Sequence, residues 1–162
     1  MPHEASVEAL QPLGPVFLSY ILSFVYLGTY WANHHHLLQA AKVVDGRVLW
    51  ANLHLLFWLS LFPFATGWMG ENSFAPIPTA VYGGVFLAAA LSYFVLVRAL
   101  IAAPGQPGAL AAAIGRDTKG KVSLVVYVVA IPIAFVVPLA SLGLYVAVLA
   151  YWFVPDRRME RA

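Results

Sequence analysis

The 162-residue sequence contains no cysteine, which excludes disulfides, thiolate metal sites and cysteine nucleophiles. Charge is also scarce. Asp, Glu, Lys and Arg make up 10% of the chain, against roughly 25% in a soluble domain. The first ten residues carry two glutamates and no Lys or Arg, the reverse of the basic start of a cleavable signal peptide. Inside the long apolar runs there is no Asp, Glu or Lys. That excludes the embedded charge on which pumps, proton-coupled transporters and voltage sensors depend. Ser, Tyr and His alone are too few for the gathered acid–base and nucleophilic groups of most membrane enzymes. Neither an enzyme nor a nucleic-acid binder is expected.

What the chain has is apolar surface: 62% of residues are hydrophobic and the mean hydropathy is +0.80. A small soluble domain leaves much of its area exposed and could not hide so much of it. Lipid removes the difficulty. The sequence therefore predicts an all-α fold, a polytopic membrane helix bundle. Five runs fit or approach the ~20 residues that cross a hydrocarbon core of ~30 Å. They cover about 16–38, 48–69, 78–102, 122–137 and 139–154. Pro138, followed by Ser141 and Gly143, divides the last two into a tight helical hairpin.

The nine basic residues test this count. Lys42 and Arg47 fall between the first two runs, and Arg98, Arg116, Lys119 and Lys121 around the loop after the third. Arg157, Arg158 and Arg161 follow the fifth run, while the remaining loops have none. Lys and Arg collect on the cytoplasmic side. Residues 1–13 are thus expected as an extracytoplasmic tail, 14–154 as a five-helix domain, N-out and C-in, and 155–162 as a basic cytoplasmic tail. A single crossing over 122–154 would put the last three arginines on the wrong side. Trp31, Trp50, Trp68 and Trp152 lie near run ends, where amphipathic rings anchor at the interface. The loop from Pro104 to Lys121 reads as a cytoplasmic linker whose charges meet anionic headgroups.

Several features bear on packing. Gly84, Ala88 and Ser92 form a small-residue ridge, and Ala130 and Ala134 repeat it. Pro63 and Pro132 should bend or loosen their helices. Tyr82-Gly83-Gly84-Val85-Phe86 has a passing likeness to a potassium-filter loop, but it sits inside a continuous apolar run and reads as packing. His34, His35, His36 and His54 raise the alternative of a haem or metal site. Three consecutive histidines step ~100° apart around a helix and cannot share one ligand face. No carboxylate in either run could complete a metal shell. A hydrogen-bonding role is expected, with no cofactor and no metal.

The first two runs carry more than hydrophobicity. Ser23-Phe24 and Tyr30-Trp31-Ala32-Asn33-His34-His35-His36-Leu37-Leu38 are followed by Val44-Asp45, Leu49-Trp50-Ala51-Asn52-Leu53 and Ser60-Leu61-Phe62-Pro63-Phe64-Ala65-Thr66. In this order they resemble the second and third helices of the transmembrane protein 175 family, potassium channels of lysosomes with single-repeat prokaryotic relatives. The later runs and Pro155-Asp156-Arg157-Arg158 also fit, so the resemblance covers nearly the whole chain from Val16. Family members open with a helix bearing an Arg-x-x-x-Phe-Ser-Asp type motif, which forms the hydrophobic constriction of the pore. These 162 residues lack that motif, and their first run corresponds to the family's second helix. Pore-lining residues are therefore not identified.

The resemblance implies that Trp31, His35 and Asn52 form a polar cluster near the cytoplasmic end that braces the family's first helix. Trp31 and His35, four apart, share a helix face, and Asn52 on the next helix is a candidate partner. The function implied is a subunit of a potassium-permeable channel in the plasma membrane, a homo-oligomer, tetrameric as in single-repeat relatives. Its partners would be the lipid bilayer and potassium ion. Two alternatives stand beside it: a non-conducting scaffold that assembles with a full-length relative, and a haem-binding membrane protein.

Overall fold

The computed structural model describes residues 14–105 and 117–153. The two expected tails and most of the basic loop, with Arg116, Arg157, Arg158 and Arg161, lie outside the described residues. Among the described residues six helices follow one another: α1 (Gly14–Ala40), α2 (Gly46–Ser60), α3 (Phe62–Glu71), α4 (Pro76–Ala102), α5 (Thr118–Ile133) and α6 (Pro138–Phe153). No strand occurs among the described residues. Two segments, Gly46–Glu71 and Pro76–Ala102, are long and apolar enough to cross a membrane. α5 and α6, at 16 residues each, reach about 24 Å at 1.5 Å per residue.

Local chemistry sets the helix ends. Asp45 Oδ1 accepts from Val48 N at 2.9 Å, and Asp117 Oδ1 accepts from Gly120 N at 2.8 Å. Both are N-caps that satisfy an amide with no partner in its own helix. α4 and α6 begin on prolines, Pro76 and Pro138, whose fixed φ suits the first turn and whose missing N–H costs nothing there. The expected 48–69 run is not one helix. It breaks at Leu61, just ahead of Pro63 in the first turn of α3. Pro132 sits in the last turn of α5, and the turn between α5 and α6 precedes Pro138 rather than following it.

α4 lies at the centre, packed on α2, α3, α5 and α6, while α1 lies against α3 and α6. The core is aromatic. The Phe86 ring is 4.2 Å from Tyr26 and Tyr82, 4.9 Å from Phe62, 5.5 Å from Tyr127 and 5.6 Å from Tyr145, between centroids. In lipid, apolar burial between helices gives little driving force, so close packing and internal hydrogen bonds carry the association. Both are present. Tyr26 OH donates to the Tyr145 carbonyl, and Ser23 bonds Thr66 across α1 and α3. Tyr145 OH donates to Thr79 O at 3.3 Å and Ser141 Oγ to Ala130 O at 2.8 Å.

The close approach on α4 uses Gly83, one residue away from the expected ridge. A Cβ there would run into the Tyr145 hydroxyl, whereas one on Gly84 would meet nothing within 4 Å. Ala130 and Ala134 are fully buried within the chain. The Tyr82–Phe86 stretch is continuous α-helix.

Candidate functional site

The three consecutive histidines near the end of α1 separate as helix geometry demands. Ser19, Ser23, Tyr26, His34 and Leu37 are the buried positions of α1, a three-to-four spacing that turns one histidine inward. His34 is 5% exposed, and its Nε2 lies 2.6 Å from Asn52 Oδ1 on α2. An amide oxygen accepts, so Nε2 carries the proton. This bond ties α1 to α2 beside their connecting loop.

His35 and Trp31 face outward together. Their rings stack 6.3 Å apart with 22° between planes, and Trp31 is 63% exposed. Of the three residues named from the sequence, the structure thus pairs Trp31 with His35, while Asn52 meets His34 instead. His34 has the hydrogen-bonding role expected of the histidines, but the sequence did not single it out as the partner of Asn52. Its signal was the inward stripe of α1, which passes through position 34 and misses 35.

Below the Trp31 ring, α1, α2 and α3 enclose an apolar groove of about 300 Å³, lined by Leu27, Trp31, His34, Leu56, Leu59 and Pro63 among others. Elsewhere on α2, Leu49, Trp50, Leu53 and Phe57 are also exposed. His54 on the same helix bonds Trp58 and Ser92. Among the described residues no three metal-capable side chains come together. His34 and His54 each already have protein partners.

A cavity of about 40 Å³ lies between α1, α4, α5 and α6, lined by Tyr30, Asn33, Tyr93, Asp117, Tyr127 and Trp152 among others. It has room for one or two waters. Much of its polar lining is bonded locally. Asn33 Nδ2 donates to Thr29 O at 2.8 Å, and Trp152 Nε1 to Ser123 Oγ at 2.9 Å. The cavity also shows which helix ends meet. Asn33 near the end of α1, Asp117 before α5 and Trp152 near the end of α6 share one lining. A Cβ on Gly105, after α4, would stand 3.6 Å from Val43 before α2. The segments flanking the basic loops therefore gather at one end of the bundle.

Comparison with known proteins bears on the same region. The family profile for the endosomal/lysosomal potassium channel TMEM175 matches residues 1–63, which include His34, His35 and Asn52. A potassium channel of Chryseobacterium sp. is 44% identical over 162 residues, 100% of this chain and 84% of that protein. A potassium channel of Chamaesiphon minutus is 30% identical over 90 residues, 54% of this chain and 44% of its own length. One of Streptomyces collinus is 29% identical over 90 residues, 53% of this chain and 44% of its own length. No solved structure matches.

Proposed function

Because the chain belongs to the TMEM175 family of potassium channels, we propose that it is a potassium-channel subunit that carries the ion passively across a membrane. The observation that carries this is the 44% identity over the whole chain to a potassium channel. The physical chemistry agrees with it. Passive conduction needs no embedded carboxylate or lysine, and α2, α3 and α4 offer none between Val48 and Gly70 or between Pro76 and Val97.

We read the bundle as five crossings of the plasma membrane with the basic ends in the cytoplasm. Supporting this, Lys42, Arg47, Arg98, Lys119 and Lys121 all flank the helix ends that gather at one end of the bundle. The short α5 and α6 would cross as a hairpin, with polar flanks reaching the interface or the bilayer thinning to meet them.

The exposed Trp31–His35 stack and the groove beneath it are proposed as the face against which a pore-lining helix packs. The family's first helix, with its Arg-x-x-x-Phe-Ser-Asp motif, supplies such a partner, and these 162 residues do not contain that motif. Asn52 would act through His34, holding α1 and α2 at the spacing this helix needs. Assembly as a homo-oligomer, tetrameric as in single-repeat relatives, completes the proposal.

The test is potassium flux into liposomes holding this chain, beside liposomes in which the chain is extended upstream by a helix carrying that motif. Potassium-selective flux in either supports a conducting subunit. Flux in neither removes the channel reading. Cross-linking in the same membranes reads the oligomer, and a ladder ending short of four would overturn the tetramer.

A further inference from the structure

His54 lies two turns into α2, far from the ends where the other charged groups of α2 and α4 sit. Those groups are Arg47 and Arg98, with no acid on either helix. Two hydrogen bonds reach its ring, and a third continues from one of its partners. Trp58 Nε1 is 3.1 Å from His54 Nε2, Ser92 Oγ is 3.1 Å from His54 Nδ1, and Ser92 Oγ is 2.7 Å from the Ala88 carbonyl.

The donors fix the proton positions. An indole N–H only donates, so His54 Nε2 must present its lone pair. A neutral imidazole then carries its proton on Nδ1, and that proton can go to Ser92 Oγ. The serine oxygen is free to accept, because its own hydrogen is directed at Ala88 O. One tautomer of the neutral ring thus satisfies every group in the chain Trp58–His54–Ser92–Ala88. A second proton breaks this arrangement at one point: Nε2–H would face the Trp58 N–H, donor against donor.

We propose that His54 is a proton-responsive latch, holding Trp58 and Ser92 when neutral and releasing the Trp58 indole, while keeping Ser92, when protonated. The location gives the release a consequence. Trp58 lies just before the break between α2 and α3, and its carbonyl receives Leu61 N at 3.2 Å. Its ring is held edge-on by Phe57 at 5.4 Å. The latch therefore fixes a large side chain at the joint of a broken helix.

Few charges compete. Facing groups on α4 reduce to Arg98, whose guanidinium is 5.8 Å from the Phe94 ring. α2 offers Arg47 and its cap Asp45, α3 only Glu71 at its far end, and on α1 the inward His34 is bonded to Asn52. His54 itself is exposed on the surface of the bundle.

The test is tryptophan fluorescence of the whole chain in detergent and in liposomes between pH 8 and pH 5. Subtracting the Trp58→Phe variant isolates the signal of one indole. A reversible change in Trp58 emission on acidification is expected in the native chain. It should be lost in His54→Gln, whose amide can accept from Trp58 and donate to Ser92 without titrating. Helical circular dichroism confirms that this variant is folded; if it is not, Ser92→Ala, which keeps the imidazole and Trp58, should still show the change. A native chain without a Trp58-specific change overturns the latch, as does a change that persists in folded His54→Gln. Because the readout is local to one indole, a failure of potassium flux leaves it intact.

Discussion

The bundle has two aromatic regions built from the same residue types and put to opposite use. Around Phe86, rings from α1, α3, α4, α5 and α6 close on one another, and the Tyr26 and Tyr145 hydroxyls end on backbone carbonyls, while the buried Tyr82 hydroxyl finds no partner among the described residues. On α1 and α2, Trp31, Trp50, Leu53 and Phe57 are each more than half exposed. The first region is buried within one subunit. The second has the composition of a core and the exposure of a surface, which is what a surface awaiting lipid or another helix should show.

The largest test of this contrast is Phe86→Ala. Removing a fully buried ring from five aromatic neighbours should cost about 3–5 kcal/mol, measured as unfolding in mixed detergent. Trp50→Ala, at a position 75% exposed, should stay within about 0.5 kcal/mol in the same assay. Equal losses would erase the distinction between the regions.

Gly83→Ala comes next. Its methyl would press on the Tyr145 hydroxyl, and overpacking of this kind costs about 1–3 kcal/mol. Combined with Tyr145→Phe, which removes the nearer of the two obstructing atoms of that side chain, the loss should be smaller than the sum of the two. Strict additivity would mean that the helices do not meet there.

Asn52→Leu probes the border between the regions. It strips the partner from a histidine that is almost buried, and membrane hydrogen bonds average ~0.6 kcal/mol with a ceiling near ~1.7. A loss of about 1 kcal/mol is expected, together with weaker flux from the assembled channel. His35→Ala should be the quietest in stability, within about 0.5 kcal/mol, yet it should impair flux where the pore-lining helix is present. Unchanged flux would show that the stacked pair braces nothing.

How much of this could be read without coordinates differs by element. The α1 and α4 runs were legible to within a few residues, because both are long stretches with few charges and a proline stands where each starts. The break at Leu61 was not. Pro63 announced a disturbance, but a proline in a first turn and one inside a helix look alike in sequence, and packing chooses between them. Four-residue spacing put Trp31 and His35 on one helix face, but the resemblance to the family was what singled them out. The pairing of Asn52 with His34 depended on which way α1 turns toward α2.

By itself, the sequence determined the solvent and the class. Scarce charge, absent cysteine, long apolar runs and basic residues confined to certain loops admit a helical bundle in lipid and little else, because each is a property of composition and order along the chain. The tertiary structure decided which glycine admits a neighbour, which histidine turns inward, and how the Trp58–His54–Ser92 chain closes. Those outcomes rest on helix rotation and on distances of a few ångströms between segments remote in sequence, and no local pattern encodes them.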